Sequence, residues 1–148
     1  MSLKNLNVSK KTHKFLLDKL KDKRILQIYK KFESNLPNKK NFIVAVSGGP
    51  DSLALSFLTK IYSIKKSLDI KYFIVDHKLR KNSTLEAMYV KKILTNFSIK
   101  LNILTWKGKK PKKNIQSIAR EKRYKLLCDR AKKHRIENIL VGHHLDDL

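Results

Sequence analysis

Residues 42–52 read Phe42-Ile43-Val44-Ala45-Val46, followed by Ser47-Gly48-Gly49-Pro50-Asp51-Ser52. The first five residues are apolar and mostly β-branched or aromatic, which is typical of a buried strand. Two adjacent glycines then permit a tight turn and let backbone amides approach a ligand closely. A helix that begins at the turn directs N–H groups and the positive end of its dipole at the same ligand. The stretch therefore predicts a strand, a turn and a helix start that together hold phosphate groups.

The turn differs from two widespread phosphate-binding motifs. It has neither the Gly-x-x-x-x-Gly-Lys-Ser/Thr spacing nor the Gly-x-Gly-x-x-Gly spacing. It does carry Asp51, whose carboxylate would be repelled by phosphate unless a metal ion or a substrate amine lay between them. The hydroxyls of Ser47 and Ser52 would add donors. The simpler interpretation, an ordinary strand–helix turn with Asp51 as the N-cap, stays open.

Strand-like and helix-like segments alternate along the rest of the chain. The predicted elements are, in order, one or two helices within 11–36, a strand at 42–46, a helix at 51–65, a strand at 70–75, a helix from 83, a strand at 99–106, a helix at 114–134 and a strand at 139–141. Such alternation implies right-handed crossovers and a mainly parallel sheet between helical layers, an α/β three-layer sandwich. We expect residues 1–10 to be loose, 1–37 to form a helical N-terminal extension, and 38–148 to form the main domain.

Unusual polar clusters fall where predicted strands end, at 47–52, 76–80 and 143–147. Ligands of parallel α/β sheets bind outside the carboxyl ends of the strands, so these clusters predict a site at that edge. Before the helix that follows the second strand, Ser83 and Glu86 have the spacing of a capping box.

The charge balance favours a polyanionic partner. Thirty-five Lys and Arg residues against twelve Asp and Glu residues give a net charge of +23, and nucleic acid is the commonest partner of such a surface. A lysine-rich surface without that function is the alternative. The segment 107–113 holds five lysines; either it contacts a nucleic-acid backbone or it is a solvated loop.

The single cysteine, Cys128, lies in an apolar stretch and is expected to be a buried small hydrophobe. One cysteine excludes a disulfide framework within the chain and a cysteine-cluster metal site. The sequence shows neither an apolar run long enough to span a membrane nor a signal peptide at its start. A cytoplasmic protein with no membrane partner is therefore expected, and its oligomeric state is left open.

The turn at 47–52 resembles the Ser-Gly-Gly-x-Asp-Ser signature of the PP-loop ATP pyrophosphatases. That resemblance implies an adenine-nucleotide α-hydrolase-like fold and cleavage of ATP into AMP and pyrophosphate, with a substrate oxygen activated as an adenylate. Three further segments are similar to those of the tRNA(Ile)-lysidine synthases within this family. They are Val75-Asp76-His77-Lys78-Leu79-Arg80, Ala119-Arg120-Glu121-Lys122-Arg123-Tyr124 and Gly142-His143-His144-Leu145-Asp146-Asp147.

The narrower resemblance implies a ligase that uses ATP and Mg²⁺ and acts on tRNA(Ile) and free L-lysine. Such an enzyme joins the lysine ε-amine to C2 of the wobble cytidine in a CAU anticodon, through an adenylated intermediate. The products are lysidine, AMP and pyrophosphate. Enzymes of this kind continue beyond the His-His-x-Asp-Asp segment, so the domain at 38–148 is expected to be truncated at its C-terminal end.

The resemblance also implies roles for individual residues. Nucleotide contacts are expected from Ser47, Gly48, Gly49, Pro50, Asp51, Ser52, Asp76 and His77. Catalytic roles are expected for Asp51, Arg120, His143, Asp146 and Asp147, and Mg²⁺ ligation for Asp51 and Asp147. A guanidinium matches phosphate oxygens, and Arg120 is favoured over Arg123 for that contact. His143 or His144 would accept a proton from the lysine ammonium, since histidine titrates near neutral pH.

Two alternatives remain at this point. One is a PP-loop tRNA thiolation enzyme, although such enzymes use catalytic cysteines or an iron–sulfur cluster and this chain has one cysteine. The other is a non-catalytic, basic RNA-binding fragment, which would not consume ATP.

Overall fold

A computed structural model describes residues 3–37 and 40–142, with side chains from residue 8 onward. Five α-helices and four strands lie in this part of the chain. The helices are α1 (Leu3–Asp18), α2 (Lys23–Ser34), α3 (Pro50–Lys66), α4 (Ser83–Thr95) and α5 (Ile115–His134). The strands are β1 (Phe42–Val46), β2 (Lys71–Asp76), β3 (Leu101–Thr105) and β4 (Asn138–Val141). A short 3₁₀ turn, Lys19–Lys21, joins α1 to the residues before α2.

The four strands form one parallel sheet in the order β3-β2-β1-β4. Strands β2 and β3 are added in turn on one side of β1, and β4 then pairs with β1 on its other side. Right-handed crossovers in opposite directions place their helices on opposite faces of a sheet. Helices α3 and α4 accordingly lie on one face and α5 on the other. The predicted α/β sandwich with a parallel sheet is confirmed.

Alternate residues of the strands fill two cores. In β1, Phe42, Val44 and Val46 pack with α3, α4 and the N-terminal helices. Ile43 points to the opposite face, where it packs with Phe73, Leu104, Leu127 and Ala131. The period of two that a strand imposes on its side chains thus divides one apolar run between two layers.

The N-terminal helices contribute directly to the larger core. Leu16 of α1 and Tyr29 of α2 are buried in the same cluster as the strand residues. The N-cap of α2 is Asp22, whose Oδ1 accepts hydrogen bonds from Arg24 N at 2.8 Å and Ile25 N at 3.2 Å. The expectation that residues 1–10 are loose is wrong for residues 3–10, which belong to α1. Once a helix has nucleated, extending it by further residues is much easier than starting it. The domain division at residues 37 and 38 stays a prediction.

Two local predictions are corrected by tertiary contacts. The N-cap of α4 is Asn82 rather than Ser83, and it makes no side-chain capping bond. The Ser83 hydroxyl instead donates to Asp76 at 2.7 Å, and Glu86 pairs with Arg80 at 2.8 Å. Charged partners make stronger hydrogen bonds than the neutral backbone groups of a capping box.

Cys128 is exposed, which corrects the expectation of a buried cysteine. On α5, Leu127 and Ala131 face the sheet, and the next residue along a helix is turned away by about 100°.

Among the described residues, no helix combines the length and the apolar composition that a membrane-spanning segment needs.

Candidate nucleotide-binding site

The turn after β1 depends on a glycine at residue 48. Gly48 has φ +89°, a conformation that side chains with a Cβ rarely adopt. A Cβ at this position would also lie 2.9 Å from Cγ2 of Val90 on α4. The turn therefore passes so close to α4 that only glycine is accommodated.

The Ser52 side chain holds the turn in shape from inside. Its residue is 1% exposed. Its Oγ accepts hydrogen bonds from Ser47 N at 3.2 Å and Gly48 N at 3.1 Å, and donates to Gly49 O at 3.0 Å. This network gives Ser52 a positioning role, whereas direct contact between its hydroxyl and a phosphate stays a prediction.

The end of β4 packs against the start of α3. A Cβ on Gly142 would lie 2.8 Å from both Cα and N of Ser52. Strand β4 can end this close to the start of α3 only because residue 142 has no side chain. Sequence reasoning treated Gly142 as part of a motif and missed this contact, for which a lone glycine at a strand end is the only signal.

A cavity of about 510 Å³ opens beside the turn, at the carboxyl ends of β1 and β2. Its walls come from four parts of the chain. They include Ser47 and Gly48 of the turn, Asp76 and His77 at the end of β2, Glu86, Tyr89 and Val90 of α4, and Arg123 of α5. The α4 residues were missed as cavity residues, although their helical spacing could have placed them on one face. The turn and the 76–80 cluster thus share one cavity, as the strand-end rule predicts.

The Asp76 carboxylate is fully engaged by its own chain. It accepts hydrogen bonds from Lys78 N at 2.9 Å, Ser83 Oγ at 2.7 Å and Thr84 Oγ1 at 2.6 Å. Burial raises the pKa of this carboxyl, but the bonds from Thr84, Ser83 and Lys78 outweigh it and leave the pKa below its usual range. Asp76 fixes the β2–α4 connection, and contact with a nucleotide stays a prediction for it.

His77 lies in the cavity wall with unsatisfied polar atoms. Both ring nitrogens are buried and have no hydrogen-bond partner among the described residues. The ring of Trp106 packs edge-on against it, with centroids 6.1 Å apart. Burial lowers the pKa of the imidazole, and the charge of Arg123 lowers it further. The ring is therefore neutral at pH 7, with one nitrogen as donor and the other as acceptor.

The two arginines of α5 lie in different places. Arg123 borders the cavity that contains the glycine turn, whereas Arg120 does not. Arg120 lies in the wall of a second cavity of about 460 Å³. The arginine that borders the cavity beside the turn is therefore Arg123, which the sequence ranked below Arg120.

Asp51 lies in the first turn of α3 and is exposed. Within 3–37 and 40–142, no three His, Cys, Asp or Glu side chains come together as a metal-binding group. Mg²⁺ is commonly held by one or two carboxylates together with substrate phosphates, so a carboxylate beside a phosphate-binding turn fits that ion. The predicted site residues His143, Asp146 and Asp147 lie outside the described residues.

A parallel α/β sheet whose strand order reverses at β1, with a glycine turn and a helix start after that strand, defines a nucleotide-binding α/β protein. The family model of the PP-loop domain matches residues 17–148. The chain belongs to the PP-loop family.

Curated relatives of similar sequence share a single name. The chain is 43% identical over 105 residues to the tRNA(Ile)-lysidine synthase of Orientia tsutsugamushi, a match that covers 71% of this chain and 24% of the relative. It is 44% identical over 110 residues to the tRNA(Ile)-lysidine synthase of Bartonella henselae, covering 73% of this chain and 22% of the relative. The chain thus spans about a quarter of the length of these relatives.

A solved structure of similar fold is the U34-tRNA thiolase NcsA of Methanococcus maripaludis with its 4Fe–4S cluster. The TM-score is 0.68 at 21% sequence identity, over 83% of this chain and 46% of the other. This likeness supports the fold.

Proposed function

We propose that the chain is the ATP-using part of a ligase that joins lysine to C2 of the wobble cytidine in tRNA(Ile) with a CAU anticodon. One observation carries the proposal: a glycine turn borders a cavity in a chain that is 43% identical over 105 residues to a tRNA(Ile)-lysidine synthase. The net charge of +23 supports RNA as the substrate. Because tRNA is the substrate, we also propose a cytoplasmic location.

The proposed reaction has two steps. In the first, O2 of the cytidine attacks the α-phosphorus of ATP, the bond from that phosphorus to the bridging oxygen breaks, and pyrophosphate leaves. In the second, the ε-amine of lysine attacks C2, and AMP leaves with the oxygen. The nitrogen gives up its protons to a base. Both steps depend on positioning and on neutralising phosphate charge.

Residues around the turn suit the first step. Ser47, Gly48, Gly49 and Pro50 would place the turn and the start of α3 against the β- and γ-phosphates. The guanidinium of Arg123, which borders the same cavity, would face the developing charge. Asp51 would hold Mg²⁺ on the phosphates, which supplies further positive charge when bound.

The remaining roles rest on the sequence motif. Asp147 would join Asp51 at Mg²⁺, and Asp146 would face Mg²⁺ or the lysine ammonium. His143 would take the proton from that ammonium. These assignments follow the His-His-x-Asp-Asp segment of the family.

The described residues offer no observation that favours the thiolation alternative. Cys128, the only cysteine of this sequence, lines neither the cavity beside the turn nor the second cavity.

Pyrophosphate release by the full chain tests the proposal. We expect release from ATP to require tRNA(Ile), whose cytidine O2 is the attacking group, and repeated turnover to require lysine as well, because lysine displaces AMP from the adenylated RNA. We expect Asp51→Ala to slow release by roughly a hundredfold or more, the scale on which loss of one charge-stabilising group acts. Asp129→Ala, on the exposed side of α5, is the matched control and should keep the wild-type rate. Release that needs neither lysine nor tRNA, or an undiminished rate in Asp51→Ala, would contradict the proposal.

A further inference from the structure

A second cavity of about 460 Å³ lies between the β2–α4 connection and the first half of α5. It shares three wall residues with the cavity beside the turn, namely His77, Leu79 and Arg123. Its own residues are Ile115, Gln116, Ala119 and Arg120. No residue of the glycine turn reaches it. A ligand in the second cavity would therefore lie next to, and separate from, a nucleotide held at the turn.

The size of the second cavity suits a single nucleotide or another small molecule, because ligand cavities commonly measure about 300–1,000 Å³. Leu79, Ile115 and Ala119 give it an apolar surface on which a base can lie. The amide of Gln116 offers both a donor and an acceptor for the edge of a base.

The charges around the second cavity favour one of the two substrates other than ATP, free lysine and the RNA. Among the residues that the structure describes, Arg120 and Arg123 line it and no carboxylate does. Two guanidinium groups repel the ammonium of free lysine and attract the phosphate of a nucleotide. The lysine-rich segment 107–113 is separated from Ile115, at the start of α5, by Asn114 alone. A chain of phosphates leading to the cavity would therefore meet positive charge.

The shared wall contains the unsatisfied imidazole. Buried polar atoms without partners cost free energy, and both ring nitrogens of His77 are such atoms in the described part of the chain. The neutral ring of His77 belongs to the wall that the two cavities share, so a ligand in either cavity would contact it.

We propose that the second cavity receives the target nucleotide of the RNA, with its base on Leu79, Ile115 and Ala119 and its phosphate near Arg120. This inference rests on the proposed function and deepens it by separating the sites of the two nucleotides. A base in the second cavity lies beside ATP in the first, and His77 lines both cavities.

The test uses an anticodon stem-loop RNA of tRNA(Ile) that carries the fluorescent base pyrrolocytosine at the wobble position. Ile115 is 44% exposed, so Ile115→Trp can fill the cavity mouth without disturbing a core. Gln116→Trp is a second blocking variant on an exposed residue. The matched control is Leu85→Trp on α4, which is 66% exposed and lines neither cavity. RNA affinity and the affinity for a fluorescent ATP analogue are measured at one fixed salt concentration.

Both blocking variants are expected to weaken RNA binding by roughly five- to a hundredfold, the loss that corresponds to one base contact. Their affinity for the ATP analogue should match that of the wild type, and Leu85→Trp should change neither. Unchanged RNA affinity in both blocking variants overturns the inference. So does a parallel loss of ATP-analogue affinity, or a rise in the KM for lysine in place of the RNA effect.

Failure of the proposed function is distinguishable from failure of this inference. If pyrophosphate release does not depend on lysine and tRNA but the pyrrolocytosine signal still depends on Ile115, the proposed function fails and the nucleotide cavity stands. If release does depend on both substrates but Ile115→Trp and Gln116→Trp leave the KM for tRNA unchanged, the cavity assignment fails and the proposed function stands.

Discussion

Two residues behind the glycine turn, Ser52 and Gly142, set the positions of the groups that would meet a nucleotide. The Ser52 hydroxyl ties together the backbone of residues 47–49. Gly142 lets β4 approach the start of α3 from the other side. Neither residue needs to touch a ligand for the turn to keep its shape. At this scale, a positioning residue is recognised by its contacts within the chain: hydrogen bonds for Ser52 and a close backbone approach for Gly142.

Replacing Ser52 with alanine should therefore disturb both stability and nucleotide binding. Two backbone N–H groups and one carbonyl lose their shared partner, which we expect to lower the free energy of unfolding by about 1–3 kcal/mol. Urea unfolding and ATP titration measure the two effects. Ser63→Ala is the control, since its hydroxyl donates to Leu68 O at 2.9 Å near the far end of α3. It should lose stability and keep ATP affinity. Wild-type ATP affinity in Ser52→Ala would refute the positioning role.

Asp76 should make the stability of the protein sensitive to acid. Its three hydrogen bonds hold the folded-state pKa below the usual value, which is about 3.9 in unfolded chains. On acidification, the unfolded chain then binds this proton before the folded one does. The contribution of Asp76 is complete above about pH 4 and is lost as the pH falls through the folded-state pKa.

The acid sensitivity is measured by urea unfolding between neutral pH and about pH 3. Asp76→Asn should be less stable than the wild type at neutral pH and should lose less stability on acidification. Thr84→Val removes the donor that lies 2.6 Å from Asp76 and should give an intermediate profile. An identical acid profile in the wild type and Asp76→Asn would show that these bonds do not stabilise the charged form.

The lysine-rich loop at 107–113 is the element whose fixed conformation was least apparent from the sequence. Lys110 fastens it at its centre: the ammonium donates to Trp106 O at 2.8 Å and lies 4.0 Å from the centroid of the indole ring. Trp106 in turn packs on His77. The loop is thus connected to the cavity wall through a buried tryptophan, although it carries mostly exposed lysines.

Removing the Lys110 side chain should loosen this loop. A cation over an aromatic ring contributes about 0.5–2 kcal/mol, and Lys110→Ala also loses the bond to the Trp106 carbonyl. We expect faster tryptic cleavage within 107–113 and a red shift in the emission of Trp106, the only tryptophan. Lys109→Ala is the control, because Lys109 is an exposed lysine of the same loop. Lys110 precedes Pro111 and is not itself a tryptic site, so cleavage is compared at Lys107, Lys112 and Lys113, which both variants keep. Equal behaviour of the two variants would show that Lys110 does not anchor the loop.

In the whole molecule, the N-terminal helices and the sheet share one apolar core. Tyr29 is 0% exposed, and Leu16 is buried in the same cluster as Phe42 and Val44. The PP-loop family match begins at residue 17, one residue after Leu16. Most of α1 thus precedes the matched region yet packs on the domain through Leu16.

Leu16→Ala should accordingly destabilise the entire chain. Truncation of a buried leucine costs about 2–5 kcal/mol, and a shared core should transmit that loss to one cooperative unfolding transition. Circular dichroism for the helices and Trp106 fluorescence for the sheet edge should report the same midpoint. Val8→Ala, at a residue of α1 that is 63% exposed, should change stability by no more than about 0.5 kcal/mol. Two separate transitions would mean that the N-terminal helices unfold on their own.

The fold and the nucleotide turn were largely predictable because their signals are local. The apolar run 42–46, the glycine pair and the alternation of strand and helix patterns act over a few residues each, and the structure confirms the parallel α/β sheet that they predict. The capping box at Ser83 was wrong because the carboxylate of Asp76, at the end of the preceding strand, accepts the bond from its hydroxyl. A local preference for helix capping is overridden when a charged group on another element makes a stronger hydrogen bond with the same side chain.

The sequence by itself determined the strand, the glycine turn and the edge of the sheet where the polar clusters gather. Their positions follow from backbone conformations and from the parallel direction of the strands. Only the tertiary structure decided that Arg123 and not Arg120 borders the cavity beside the turn, and that His77 lines two cavities. Both features depend on how α5 and the β2–α4 connection meet at the edge of the sheet, and that packing has no local signature in the chain.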